Sequence, residues 1–120
     1  MERKIRRGDM FYVALPDGIG SEQDGFRPAL VIQNNIGNKH SQTVIVAIIT
    51  SRINSKAKLP THCYIRAQQG LGRDSMVMLE QIRTVATERL HTYLGVLDSN
   101  AMAEVDRALA VSVGLNNTQI

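Results

Sequence analysis

Apolar residues recur along this chain mostly at strand spacing. Gly8–Leu15 (GDMFYVAL) reads as a first strand, closed by the turn signature Pro16-Asp17-Gly18. Ile19–Phe26 is a polar, glycine-punctuated loop. Arg27–Asn34 (RPALVIQN) is a second strand, whose Pro28 fits only at a strand start or on an edge. Ile36–Gln42 reads as a loop. Thr43–Thr50 (TVIVAIIT) is a near-continuous apolar run, which predicts a central strand buried on both faces. Ser51–Pro60 is a second polar loop, Thr61–Arg66 a short strand, and Ala67–Asp74 a turn region. Ser75–Val85 is a long strand; strict alternation would put Val77, Leu79, Gln81 and Arg83 on one face and Met76, Met78, Glu80 and Ile82 on the other. His91–Leu97 is a last short strand. Only Ser99–Val113 repeats at helical spacing, through Met102, Val105, Leu109 and Val113. Asp98 or Ser99 can cap that helix and Gly114 can end it.

These elements predict a mainly β chain with a C-terminal helix: a small, strongly bent antiparallel barrel or sheet with the helix packed on it. At 120 residues one domain is expected, residues 1–120, and dimerisation would help so small a core. The longest fully apolar run is Val44–Ile49, far short of the ~20 residues that span a bilayer. The apolar stretch after the basic start is cut off by Pro16, too short for a signal-peptide core. Cys63 is the single cysteine, so no intrachain disulfide can form. The expected compartment is the cytoplasm, with no membrane partner.

Charge sharpens the picture through its distribution. The formal net charge is +3. Residues 36–85 carry seven basic side chains against two acidic ones, and ten of the fourteen basic residues of the chain are arginine. Arginine forks onto phosphate better than lysine does, so an anionic partner is indicated alongside the plainer reading of solvated surface charge. The five aromatics, Phe11, Tyr12, Phe26, Tyr64 and Tyr93, do not form the aromatic-rich strand motif of an RRM. His40, His62 and His91 are far apart, and no zinc-binding or Walker-type motif is present. Gly70-Leu71-Gly72-Arg73-Asp74-Ser75 leads into a strand and not a helix, so a dinucleotide loop fails its context. His62 and Cys63 are neighbours on a strand, point to opposite faces, and do not make a thiol–imidazole couple.

The run Gly20-Ser21-Glu22-Gln23-Asp24-Gly25-Phe26-Arg27-Pro28, continuing into Ala29–Asn34, resembles the hallmark of the MazF/PemK toxin family. Arg7-Gly8-Asp9 before an apolar strand, the strand Thr43–Thr50, Lys58-Leu59-Pro60-Thr61-His62, Arg73-Asp74-Ser75, Leu79–Thr84 and the tail Ser112–Leu115 continue the likeness in collinear order. It spans roughly residues 5–115 and looks closest to the branch typical of Gram-positive bacteria. The resemblance implies an SH3-like barrel of the PemK/CcdB type and a homodimer. It implies a metal-independent, cofactor-free endoribonuclease that cuts single-stranded RNA at short motifs, leaving 2′,3′-cyclic phosphate and 5′-hydroxyl ends. It also implies a MazE-like antitoxin whose C-terminal segment covers the RNA groove.

The family's catalytic pair maps to Arg27 and Thr50. The residues themselves allow this. Arg27 can fork onto phosphoryl oxygens and is a poor base; Thr50 can donate to a phosphate oxygen. Their plainer alternatives are a surface ion pair and an end-of-strand hydrogen bond. Candidate RNA contacts are Ser21, Glu22 and Gln23 in the loop before Arg27, Arg52, Lys56 and Lys58 in the loop after Thr50, then Arg73 and Ser75, with Gln81 and Arg83 as a polar groove floor. Asp24, Phe26 and Tyr64 depart from the family pattern. A non-catalytic binding protein is the alternative, either gyrase-poisoning, because such toxins share this barrel, or a degenerate member that only binds its antitoxin.

Overall fold

The computed structural model describes residues 4–15, 25–53, 59–68 and 70–115. Six strands form one antiparallel sheet: β1 (Asp9–Leu15), β2 (Gly25–Val31), β3 (Thr43–Thr50), β4 (His62–Ile65), β5 (Ser75–Ala86) and β6 (Leu90–Val96). Their order is β4-β5-β3-β2-β1-β6. Two helices, α1 (Asn35–His40) and α2 (Ser99–Val113), and a single 3₁₀ turn at Thr87–Arg89 complete the described elements.

β3 is central, as its apolar run implies, with Val44 and Val46–Thr50 buried. Side chains alternate across it into two cores. One holds Met10, Leu30, Ala47, Ile49, Val77 and Leu79, sealed by Val105 and Ala108 of α2. The other holds Val13, Ala29, Val31, Val46, Ile48, Met76 and Met78, and no helix residue belongs to it. Since its members are almost inaccessible and come from strands alone, the sheet must wrap round them. The edge strands β4 and β6 are not hydrogen-bonded to each other, so the expected barrel is open at a seam. The loop after β4 closes that seam by packing. Gly70 (φ +92°) lies so near β6 that an added methyl would overlap the Leu94 carbonyl oxygen.

α2 forms where the periodicity places it. Asp98 caps it, its side chain accepting from the Ala101 N–H at 2.8 Å, and Gly114 ends it in a left-handed conformation (φ 72°). Ser112 donates to the Leu79 carbonyl at 2.7 Å. Arg7 ties three elements together, donating through Nε to the Ile32 carbonyl at 2.8 Å and pairing with Asp106 of α2 at 2.8 Å.

Two expectations fail for definable reasons. Ile36–Gln42, read as a loop, contains all of α1 but its first residue, Asn35. This helix buries nothing, so it leaves no apolar period to read. It is held by polar contacts instead: Asn34 accepts from the Gly37 N–H at 2.8 Å, and Asn38 Nδ2 donates to the Gln33 carbonyl at 2.9 Å. The strict alternation along β5 also breaks. Opposite consecutive residues Ala47 and Ile48, β5 offers Ile82 and Met78, so extra residues bulge out between them. Ile82 therefore joins the core of Val77 and Leu79, while Arg83 pairs with Val46 on the Met76 and Met78 side.

Candidate active site

β2 and β3 pair only over Ala29↔Ile48 to Val31↔Val46. Yet β2 begins at Gly25 and stays paired to β1 from Leu15↔Gly25 onward, and β3 runs on to Thr50 against β5. The two strands thus part company before Ala29. Pro28 stands at the split and lacks the N–H that could carry a ladder across it. Its placement satisfies the sequence expectation in an unexpected way: it lies in an interior strand, at the point where that strand acquires a free side.

The gap is a cleft of about 410 Å³, with Arg27 and Pro28 from β2 and Ile49, Thr50, Ser51 and Arg52 from the end of β3. Gly70, Leu71, Gly72, Arg73 and Ser75 form a further wall, and Tyr12 and Phe26 complete the lining. Three arginines, Arg27, Arg52 and Arg73, line it, and no carboxylate does among the described residues. A cleft with this charge attracts and concentrates anions.

Thr50 is buried, and its Oγ1 accepts from the Arg52 N–H at 3.2 Å. That bond orients the hydroxyl and leaves its own proton available to a second acceptor. Ser75 is also buried and donates to the Arg73 carbonyl at 3.0 Å, which fixes the turn that presents Arg73. Asp74 anchors the same turn by accepting from the Ala67 N–H at 2.8 Å.

The structure therefore brings together five of the residues singled out in the sequence: Arg27, Thr50, Arg52, Arg73 and Ser75. Gln81 and Arg83 are not in the cleft lining, so the single polar floor expected beside Arg27 and Thr50 does not form there. The bulge in β5 is the reason, because it puts Arg83 opposite Val46, four residues from Thr50 along β3. Ser21, Glu22, Gln23, Asp24, Lys56 and Lys58 lie outside the described residues. Sequence reading passed over Tyr12, Ser51 and Gly70–Gly72 as lining residues. Gly70 carries a signal in its glycine, but its meaning depends on a non-local approach to β6.

A second polar cluster sits apart from the cleft. His62 is buried; its Nδ1 accepts from the Leu59 N–H at 3.3 Å and its Nε2 lies 2.9 Å from Glu80. With Nδ1 accepting from that N–H, Nε2 is the ring nitrogen that donates to the carboxylate. Thr61 Oγ1 donates to the other Glu80 oxygen at 2.7 Å. The cluster fixes the return of the chain into β4. Cys63 faces the other way, 3.9 Å from the Ala101 carbonyl. Burial first, then the nearby Glu104, push its thiol pKa up against the opposing pull of Arg107.

The chain belongs to the PemK-like, MazF-like toxins of type II toxin-antitoxin systems, whose family model matches residues 6–113. It is 53% identical over 114 residues to the endoribonuclease MazF of Staphylococcus epidermidis, covering 94% of either chain. Among solved structures it resembles MazF from Deinococcus radiodurans (TM-score 0.79, 23% identity, 95% of this chain and 100% of that one), a likeness of fold. It also resembles an endoribonuclease in complex with its cognate antitoxin from Mycobacterial species (TM-score 0.76, 25% identity, 93% of this chain and 97% of that one). No described helix is long and apolar enough to cross a membrane.

Proposed function

We propose that this chain is the toxin of a type II toxin-antitoxin pair and acts as an endoribonuclease on single-stranded RNA at the β2/β3 cleft. The observation that carries the reading is the split itself. It sets Arg27 and Thr50 on the two sides of one cleft that holds three arginines and no carboxylate among its described lining. The 53% identical relative is named an endoribonuclease, which supports the same activity here.

The proposed reaction is transesterification within RNA. The 2′-hydroxyl gives up its proton to solvent as its oxygen attacks the adjacent phosphorus, the bond from phosphorus to the 5′-oxygen breaks, and that oxygen takes up a proton from solvent, so the products are a 2′,3′-cyclic phosphate and a 5′-hydroxyl with no net gain or loss of water. Charge builds on the non-bridging oxygens in the transition state. Arg27 meets it with a forked, permanently protonated donor. Thr50, already held by the Arg52 N–H, donates its hydroxyl proton to a phosphate oxygen. Arg52 and Arg73 hold flanking phosphates. The charge the reaction needs is thus supplied by guanidinium groups, without a metal or cofactor. Sequence specificity is assigned to Ser21, Glu22 and Gln23, which precede Arg27, with Lys56 and Lys58 adding phosphate contacts. A homodimer is proposed as the working unit, and an extended segment of a cognate antitoxin as the inhibitor; a structural relative is solved with its own cognate antitoxin.

The test is incubation of the purified protein with a mixed-sequence single-stranded RNA in excess EDTA, followed by mapping of fragment ends. Discrete cuts bearing cyclic phosphate and 5′-hydroxyl ends are expected. Absence of cleavage across diverse RNAs, or loss of it with EDTA, would refute the proposal.

A further inference from the structure

Beside the cleft lies a feature that the proposed chemistry does not use. Tyr12 of β1 stacks on Phe26 of β2, with ring centroids 5.9 Å apart and planes 11° apart. Phe26 in turn meets the ring of His91 on β6 at 4.9 Å. Three rings from three strands thus form a continuous row. Phe26, supported by both neighbours, still leaves 57% of itself exposed. A ring that is braced yet open costs hydration free energy unless something covers it.

The row connects two places. Tyr12 and Phe26 line the cleft of Arg27 and Thr50. His91 lines a second cavity of about 600 Å³, whose walls include Lys4 and Lys39 with Glu88 as the acidic member. Cationic groups therefore lie at both ends of an aromatic row, the arrangement that holds single-stranded nucleic acid: charge for the backbone, ring faces for the bases.

We infer that Phe26, braced by Tyr12 and His91, is a stacking platform for a nucleobase of the RNA next to the scissile step, and that the strand continues from it towards the Lys4 and Lys39 cavity. This inference rests on the ribonuclease reading. It demands a single strand, because a base inside a duplex has no free face to offer. It also gives a function to Phe26, a position where this chain departs from its family's pattern. The platform is a binding element and takes no part in the chemical step.

The test uses the full chain. Phe26→Ala and Phe26→Leu remove the ring, and Phe26→Tyr keeps it. Cleavage of a single-stranded RNA is followed as kcat and KM, and affinity is measured on a 2′-O-methyl RNA of the same sequence, which cannot be cut. The Ala and Leu variants should bind roughly 5- to 100-fold more weakly, with the loss in KM more than in kcat, while Tyr stays within about threefold of wild type. Since the chain has no tryptophan, Phe26→Trp supplies a single indole that can be excited selectively over the three tyrosines. Its emission should be quenched by the single strand and not by the same sequence in a duplex.

Wild-type cleavage with Leu and Ala variants that bind equally well would overturn the platform and leave the ribonuclease reading standing. A change of oligomeric state in Phe26→Leu, seen by light scattering, would overturn it too, by making the ring an interface residue. A wild-type protein that neither cuts nor binds RNA would overturn both.

Discussion

Gly70 offers a severe test of how this fold holds its site. It lies in the loop that closes the seam between β4 and β6, and it also lines the cleft. In Gly70→Ala the added methyl would overlap the Leu94 carbonyl oxygen and come within 2.6 Å of the Leu94 carbonyl carbon and 3.0 Å of its Cα. All of these are backbone atoms, so no side-chain rotation relieves the overlap. Ordinary contacts to carbon start near ~3.5 Å, and the carbonyl oxygen is closer still, so the loop and β6 must separate by more than about an ångström. The φ of +92° adds strain of its own, since a residue with a Cβ pays roughly 1–3 kcal/mol in such regions. With the packing lost as the seam opens, the expected destabilisation is about 3–5 kcal/mol, at the severe end for a point substitution. For a chain of this size that lowers Tm by on the order of 10–20 °C. Gly72→Ala is the internal control: it sits two residues away, also in the cleft lining, with nothing within 4 Å of the added methyl. It should change stability by less than about 1 kcal/mol in either direction. Thermal unfolding by circular dichroism reads both. A Gly70→Ala protein that melts with the wild type would refute the seam, and with it the argument that packing rather than hydrogen bonding closes the sheet.

Other outcomes follow from the same geometry. Thr50→Val keeps the volume but deprives the Arg52 N–H of its acceptor; urea unfolding should show a loss of about 1 kcal/mol, and RNA cleavage should fall far more than that instability explains. Arg52→Gln should flatten the salt dependence of RNA binding by a slope of about 0.7 in log K against log salt, as expected for one phosphate contact on a single strand. Cys63 should resist thiol reagents in the folded state and react readily in urea, because burial raises its pKa. The folded state favours the protonated thiol, so its stability holds below the thiol pKa of the unfolded chain and declines above it; Cys63→Ser should weaken that alkaline decline.

Local signals were legible and non-local ones were not. Thr43–Thr50 and Ser99–Val113 could be bounded from sequence to the residue, the first because an apolar run ends at two polar threonines, the second because Asp98 and Gly114 are cap residues of opposite kinds. α1 was missed because its stability comes from Asn34, Gln33 and Asn38 side chains and not from a buried face. The bulge in β5 leaves no mark in its sequence, since Leu79, Glu80 and Gln81 suit a regular strand; only the pairing with β3 reveals it. The residues of the site were named through the family resemblance, and the reason they form a cleft emerged from the register. Pro28 read as a constraint on strand position, whereas in three dimensions it marks where β2 leaves β3.

Arg27, which lines the same cleft as Thr50, is proposed to stabilise the transition state of RNA cleavage. The most direct measurement is the single-turnover cleavage rate of Arg27→Ala against wild type at saturating protein, with unfolding curves recorded on both. A rate lowered by about 10²–10³-fold in a protein that melts like the wild type is the expected result. A folded Arg27→Ala protein that cuts the same RNA at the wild-type rate would contradict the claim and move the chemistry away from this cleft.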